Sequence, residues 1–283
     1  MENLTNPSVI KPIMQKHGFD FSKKLGQNFI INSGICPKMA AMAEIEGGVI
    51  EIGPGVGVLT NELSKYAKKV VSFEIDQRLI PVLQETLQDC DNVKIINCDV
   101  MKADLAQVIE QEFGDMPVCV CANLPYYITS PIIMMLLESG LPIDSITVMV
   151  QKEAAQRLCA PIPSRQCGAI TAAVNYYGTP RQLFDVSRGS FMPAPNVDSA
   201  VIKIDIEKKF DLNSNQEQAF FKFIKAAFAQ RRKTLPNTLS SQLPYSSAQI
   251  AQAMQDCGLK PTARAEELSL EQMVELSLAL SLV

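Results

Sequence analysis

Through the first half of the chain, short apolar runs alternate with amphipathic stretches. Val49 to Ile52, Val70 to Ile75, Val93 to Asn97, Val118 to Ala122 and Ser145 to Val150 are rich in β-branched residues and too short for helices, which predicts strands. Between them, about Leu59 to Tyr66, Arg78 to Leu87, Leu105 to Phe113 and Pro131 to Glu138 carry apolar residues at helical spacing. Strand and helix in this rhythm predict an α/β fold, with a mostly parallel sheet covered on both faces. A helix begins near Lys152, and Ala169 to Tyr177 is either another covering helix or the approach to a strand. Gln182 to Ser187 and Val201 to Ile206 alternate apolar with polar and predict an antiparallel pair at the sheet edge. Pro193 and Pro195 stiffen the loop that joins them. Past the polar run Asp211 to Gln216 only helical patterns follow, at Phe220 to Phe228, Ala248 to Met254 and Leu270 to Leu276. The expected division is an α/β domain with its N-terminal arm over 1–209 and a small helical domain over 210–283.

Composition narrows the class. With 47% hydrophobic and 20% charged residues the chain has the material for packed cores, which excludes a disordered protein. No apolar stretch reaches membrane-spanning length, and the opening MENLTNPS lacks the charged-then-apolar order of a secretory signal, so no membrane and a cytoplasmic location are expected. The scattered cysteines predict reduced thiols. Cys119 and Cys121 share a strand face, but with His17 the sole histidine they fall short of a zinc set, and no metal is expected. The net charge of −4 hides an uneven distribution: +2 over residues 1–33, −9 over 34–151, +6 over 152–235 and −3 over 236–283. The basic parts are an N-terminal arm containing Lys23 and Lys24 and a third quarter that ends in Arg231, Arg232 and Lys233. Each offers phosphate contacts without the whole protein being basic.

The candidate chemistry sits at strand ends. The loop Gly53 to Gly57 (GPGVG) follows the first strand, but its spacing is neither the dinucleotide fingerprint nor a phosphate loop. Glycine there permits close approach of a ligand to backbone. Glu74 ends the second strand, where a carboxylate accepts both hydroxyls of a ribose. Asp99 follows the third, placed for an adenine amino group, and Asn123 follows the fourth. Four such positions in order mark the carboxyl edge at which open α/β sheets bind ligands. A nucleoside without phosphates suits this set, and S-adenosylmethionine is the expected cofactor.

The turn Asn123-Leu124-Pro125-Tyr126 then has a task. An exocyclic amine acceptor must have its lone pair freed and aimed at the methyl group. The Asn123 side-chain carbonyl and the Leu124 backbone carbonyl, the latter directed by Pro125, supply two acceptors for the two amino hydrogens. Tyr126 offers a face for stacking the base, Phe191 a second face opposite, and Tyr127 a packing role beneath. Leu124, Tyr126 and Phe191 together form an apolar wall able to accept a methyl group already transferred.

NLPY at Asn123 to Tyr126 with EIGPG at Glu51 to Gly55 resembles the ribosomal RNA adenine-N6 dimethyltransferase family. KLGQNF (Lys24 to Phe29), VQKEA (Val150 to Ala154) and FMPAPNVDSA (Phe191 to Ala200) resemble further parts of the same pattern, so the likeness covers nearly the whole chain. The resemblance implies a Rossmann-like class I methyltransferase domain with a small C-terminal helical domain. It implies transfer of methyl groups to two adjacent adenines near the 3′ end of 16S ribosomal RNA, with the small ribosomal subunit as partner and a monomeric enzyme. It also places Asn28 and Ile30 on the cofactor beside Gly53, Gly55, Glu74, Ile75, Asp99, Val100 and Asn123. Competing classes are a methyltransferase for DNA adenine or a protein amide, and a noncatalytic RNA-binding assembly protein. Leu124, where DNA enzymes more often carry a second proline, and the intact acceptor pair and ribose acid speak against them.

Overall fold

The computed structural model describes residues 3–19 and 28–281. Helix α1 (Pro7–Lys16) starts at Asn6, whose side chain accepts from the Ser8 N–H. It is followed by β1 (Phe29–Ile30) and α2 (Ile35–Met42). The central run is β2 (Gly48–Ile52), α3 (Val58–Leu63), β3 (Lys69–Phe73), α4 (Ile80–Thr86), β4 (Val93–Ile96), α5 (Leu105–Phe113), β5 (Val118–Asn123), α6 (Thr129–Glu138) and β6 (Ser145–Gln151). Then come α7 (Lys152–Leu158), α8 (Ala169–Tyr177), β7 (Gly178–Val186), β8 (Phe191–Met192) and β9 (Ser199–Ile206). The C-terminal helices are α9 (Ser214–Ala227), α10 (Leu235–Leu239), α11 (Ser247–Asp256) and α12 (Leu270–Ser281).

Seven strands form one sheet in the order β4-β3-β2-β5-β6-β9-β7. The pairs β2 with β3, β3 with β4, β2 with β5 and β5 with β6 are parallel, and β9 runs antiparallel to β6. Central strands covered on both faces are buried almost throughout, and Val118 to Ala122 is apolar and buried at every position. Because β3 and β5 flank β2 on opposite sides, the order reverses there. The carboxyl ends of β2 and β5 therefore open a crevice.

Local signals set the helix limits. Asp104 caps α5 by accepting from the Gln107 N–H, and Gly114, at φ 55°, ends it. Asn213 and Gln216 form a reciprocal capping box at the start of α9. Ala169 to Tyr177 is a helix, which settles the choice left open by its composition.

The chain divides into two compact units, residues 1–155 with 181–206, and residues 156–180 with 207–283. The last of the three breaks, 206/207, lies near the limit expected at 209/210, while 156–180 groups with the helical unit rather than the α/β unit. The physical reason is aromatic: Tyr176 on α8 stacks on Phe210 and Phe220, and Tyr177 stacks on Phe221. These partners lie more than thirty residues further along, out of reach of a local pattern. Among the described residues no helix is long and apolar enough to cross a membrane.

Candidate active site

The glycine loop after β2 is built from backbone that side chains resist. Gly53 and Gly55 have φ of 71° and 60°, and a Cβ at Gly55 would stand 3.0 Å from the Phe29 ring. The loop turns upward from β2, and its Gly55 N–H meets Glu74 Oε2 at 3.3 Å. The other carboxylate oxygen of Glu74 accepts from the Asp76 N–H at 2.8 Å. Glu74 is 4% exposed, and this burial pushes its carboxyl up to about 7 against the pull of those backbone donors. Asp99 caps the turn Val100–Lys102 by accepting from the Met101 N–H, so it serves as a local cap at the same time as it borders the crevice.

A cleft of about 1120 Å³, its open mouth included, gathers these strand ends. Of the residues singled out by the sequence, Asn28, Ile30, Gly53, Gly55, Glu74, Ile75, Asp99, Val100, Asn123, Leu124, Pro125 and Tyr126 all line it. No described residue forms a hydrogen bond with the side-chain amide of Asn123, which is half-buried at the end of β5. Tyr126, also half-buried, hydrogen-bonds through its hydroxyl to Ser199 Oγ at 2.7 Å. Burial raises its phenol above the ordinary value, and the Ser199 bond offsets part of that rise.

Several expectations need correction. Phe191 does not line the cleft: it is 3% exposed and sits opposite Ile30 in the two-stranded β1–β8 pair, where its ring joins the core. Leu124 is 1% exposed yet borders the cleft, so of the expected apolar wall of Leu124, Tyr126 and Phe191 only Phe191 is absent from the lining. Tyr127, expected to pack beneath, is 64% exposed and borders the cleft. Arg231, Arg232 and Lys233 are exposed in the turn between α9 and α10, and the Arg231 guanidinium donates to the Arg165 carbonyl. Lys23 and Lys24 lie outside the described residues.

Sequence reasoning passed over Phe29, Pro54, Cys98 and Ile128 as cleft residues, and Ser199 as the partner of Tyr126. It also passed over Glu51 beneath the loop. That carboxylate is buried and accepts from Thr60 Oγ1 at 2.7 Å and Ser72 Oγ at 2.6 Å through one oxygen, while the other has no partner among the described residues. Burial raises its pKa to about 7.

The residues fit the expected cofactor. Among the described residues the cleft lining includes carboxylates but no lysine or arginine, which suits a cationic nucleoside and does not suit a polyphosphate. Strand order, glycine loop and polar strand ends define a Rossmann-like class I methyltransferase that depends on S-adenosylmethionine. The family model for ribosomal RNA adenine dimethylase matches residues 18–281. Ribosomal RNA small subunit methyltransferase A of Bacillus pumilus is 46% identical over 282 residues, spanning 98% of this chain and 97% of that protein. The protein of the same name from Geobacillus sp. is 45% identical, spanning 99% and 98%. Among solved structures, the 23S rRNA methyltransferase ErmE superposes with a TM-score of 0.69 at 25% identity, covering 90% of this chain and all of that one. A dimethyladenosine transferase from Plasmodium falciparum gives 0.73 at 24% identity over 88% and 95%, a likeness of fold. The chain belongs to the ribosomal RNA adenine dimethylase family.

Proposed function

We propose that this protein methylates the N6 atoms of two adjacent adenines near the 3′ end of 16S ribosomal RNA in the small ribosomal subunit. The product is N6,N6-dimethyladenine, and the enzyme acts as a cytoplasmic monomer. The observation that carries the reading is the meeting of the Asn123 amide, unpartnered among the described residues, and the Tyr126 ring in the same cleft as Glu74 and Asp99.

Bound S-adenosylmethionine supplies an electrophilic methyl group on a sulfonium. Glu74 accepts from the ribose hydroxyls, Asp99 from the adenine amino group, and the backbone of Gly53 and Gly55 lets the ligand lie close. Asn28, Ile30, Ile75 and Val100 complete the walls. Asn123 Oδ1 and the Leu124 carbonyl accept the two hydrogens of the target amine, turning its lone pair away from the ring. Both acceptors are neutral, so they orient the amine and stabilise the positive charge developing on nitrogen instead of first removing a proton. Tyr126 stacks on the extruded base, a contact of about 1–3 kcal/mol. With Phe191 committed to the interior, Leu124, Pro125, Tyr126 and Tyr127 form the apolar surface that receives the first methyl while the second is transferred. Lys23, Lys24, Arg231, Arg232 and Lys233 hold RNA phosphates, which makes binding salt-sensitive.

Purified protein with radiolabelled S-adenosylmethionine should label immature small subunits and leave duplex DNA unlabelled. Label on DNA adenine, or on none of subunit, naked RNA and DNA, would overturn the assignment.

A further inference from the structure

The hydroxyl that meets Tyr126 is held more firmly than the tyrosine itself. Ser199 is fully buried at the first position of β9. Strand register fixes where it stands. Ser199 faces Gln151 across the β6–β9 pair, two residues on Val201 faces Met149, and Met149 on its other side faces Asn123. The 2.7 Å bond therefore ties the turn after β5, across β6, to β9. Ser199 is also the last polar residue of the segment FMPAPNVDSA, whose Phe191 is committed to the core and whose other polar members, Asn196 and Asp198, do not line the cleft. A tyrosine on a turn keeps two soft torsions, and a partner at its hydroxyl restricts both.

We propose that Ser199 is a positioning residue for methyl transfer: through its hydrogen bond it holds the Tyr126 ring at the angle at which the target base stacks beside the Asn123 amide. This rests on the reading that an adenine enters the cleft. The effect is on orientation in the reacting complex, so it belongs to turnover and not to cofactor binding.

Ser199→Ala and Tyr126→Phe each remove one end of the bond. On immature small subunits with saturating cofactor, each should lower turnover about 5-fold, the size of one neutral hydrogen bond. The double variant should lose no more than either single variant. Cofactor Kd, read by calorimetry, should change by less than about 2-fold in all three. Wild-type turnover in either single variant, losses that multiply in the double, or a loss carried by cofactor affinity would each overturn the proposal. Tyr126→Phe alters only a half-exposed turn, so it keeps the test decisive even where Ser199→Ala fails to fold. Nucleosides from the unmodified protein are analysed in parallel. Absence of N6-methylated adenine there counts against the functional reading, whereas its presence with unaffected variants counts against Ser199 alone.

Discussion

At the amino ends of β5 and β6, Lys203 is buried and bonds to the Glu44 carboxylate and to Asp205 at 3.3 Å, while Arg181 reaches the same two acids at 3.3 and 2.7 Å. At the carboxyl ends of the same sheet, Glu74 is met by two backbone N–H groups, Asp99 by one, and Asn123 by no described residue. Both edges are polar, but the first satisfies its charges internally and the second leaves acceptors facing a cleft. Charges paired with one another serve stability, and acceptors left facing an open cleft serve binding.

The contrast predicts different consequences for comparable substitutions. Asn123→Ala, at the open edge, should cut turnover at saturating cofactor by about 100-fold or more, the scale of one lost transition-state donor or acceptor, with cofactor Kd nearly unchanged. Single-turnover assays beside calorimetry measure both, and retained turnover would remove the amine-orienting role. Glu74→Ala should weaken cofactor binding by about 1.5–3 kcal/mol, the value of a charged hydrogen bond, while the melting temperature holds or rises because a buried carboxylate is gone. An unchanged Kd in the folded variant would dissociate Glu74 from the ribose.

How much of this was legible follows the range of each signal. Strand ends announced themselves because an apolar run, a glycine loop or acid, and a helical pattern are neighbours in sequence, so Gly53, Glu74, Asp99 and Asn123 fell on one edge by local reading. Phe191 did not, because its place depends on pairing with Ile30, about 160 residues away. The same holds for Ser199, whose partner is the Tyr126 hydroxyl, and for α8, whose stacking partners lie beyond β9. Glu51 was quoted only as part of a motif. Its environment depends on Thr60 and Ser72, which arrive from two other elements.

Smaller effects should appear with pH. Glu74 titrates near 7 in the folded protein, above its ordinary value of 4.5, because burial disfavours the charge. The ionised form is the better acceptor, so cofactor affinity should rise as pH increases through about 7, as read by calorimetry from pH 6 to 8. Glu51 is raised in the same way. Its native form keeps a proton that the unfolded chain releases, so its contribution to stability is full below about 4.5 and is lost as pH rises through about 7. Glu51→Gln should flatten that slope in denaturant titrations at pH 5 and 7.5, and an unaltered slope would place the titration elsewhere. The smallest change is expected at the paired edge. Glu44→Ala leaves Lys203 with Asp205 and should lower the melting temperature by only about 2–4 °C, with cofactor Kd unaffected. A loss of cofactor binding there would erase the distinction between the two edges.

The most direct measurement is a time course of nucleosides from small subunits incubated with excess S-adenosylmethionine, resolved by mass. N6-methyladenine should appear first and give way to N6,N6-dimethyladenine at two neighbouring positions. Monomethyladenine persisting as the final product, or methyl groups on atoms other than N6, would contradict a cleft that orients an exocyclic amine twice.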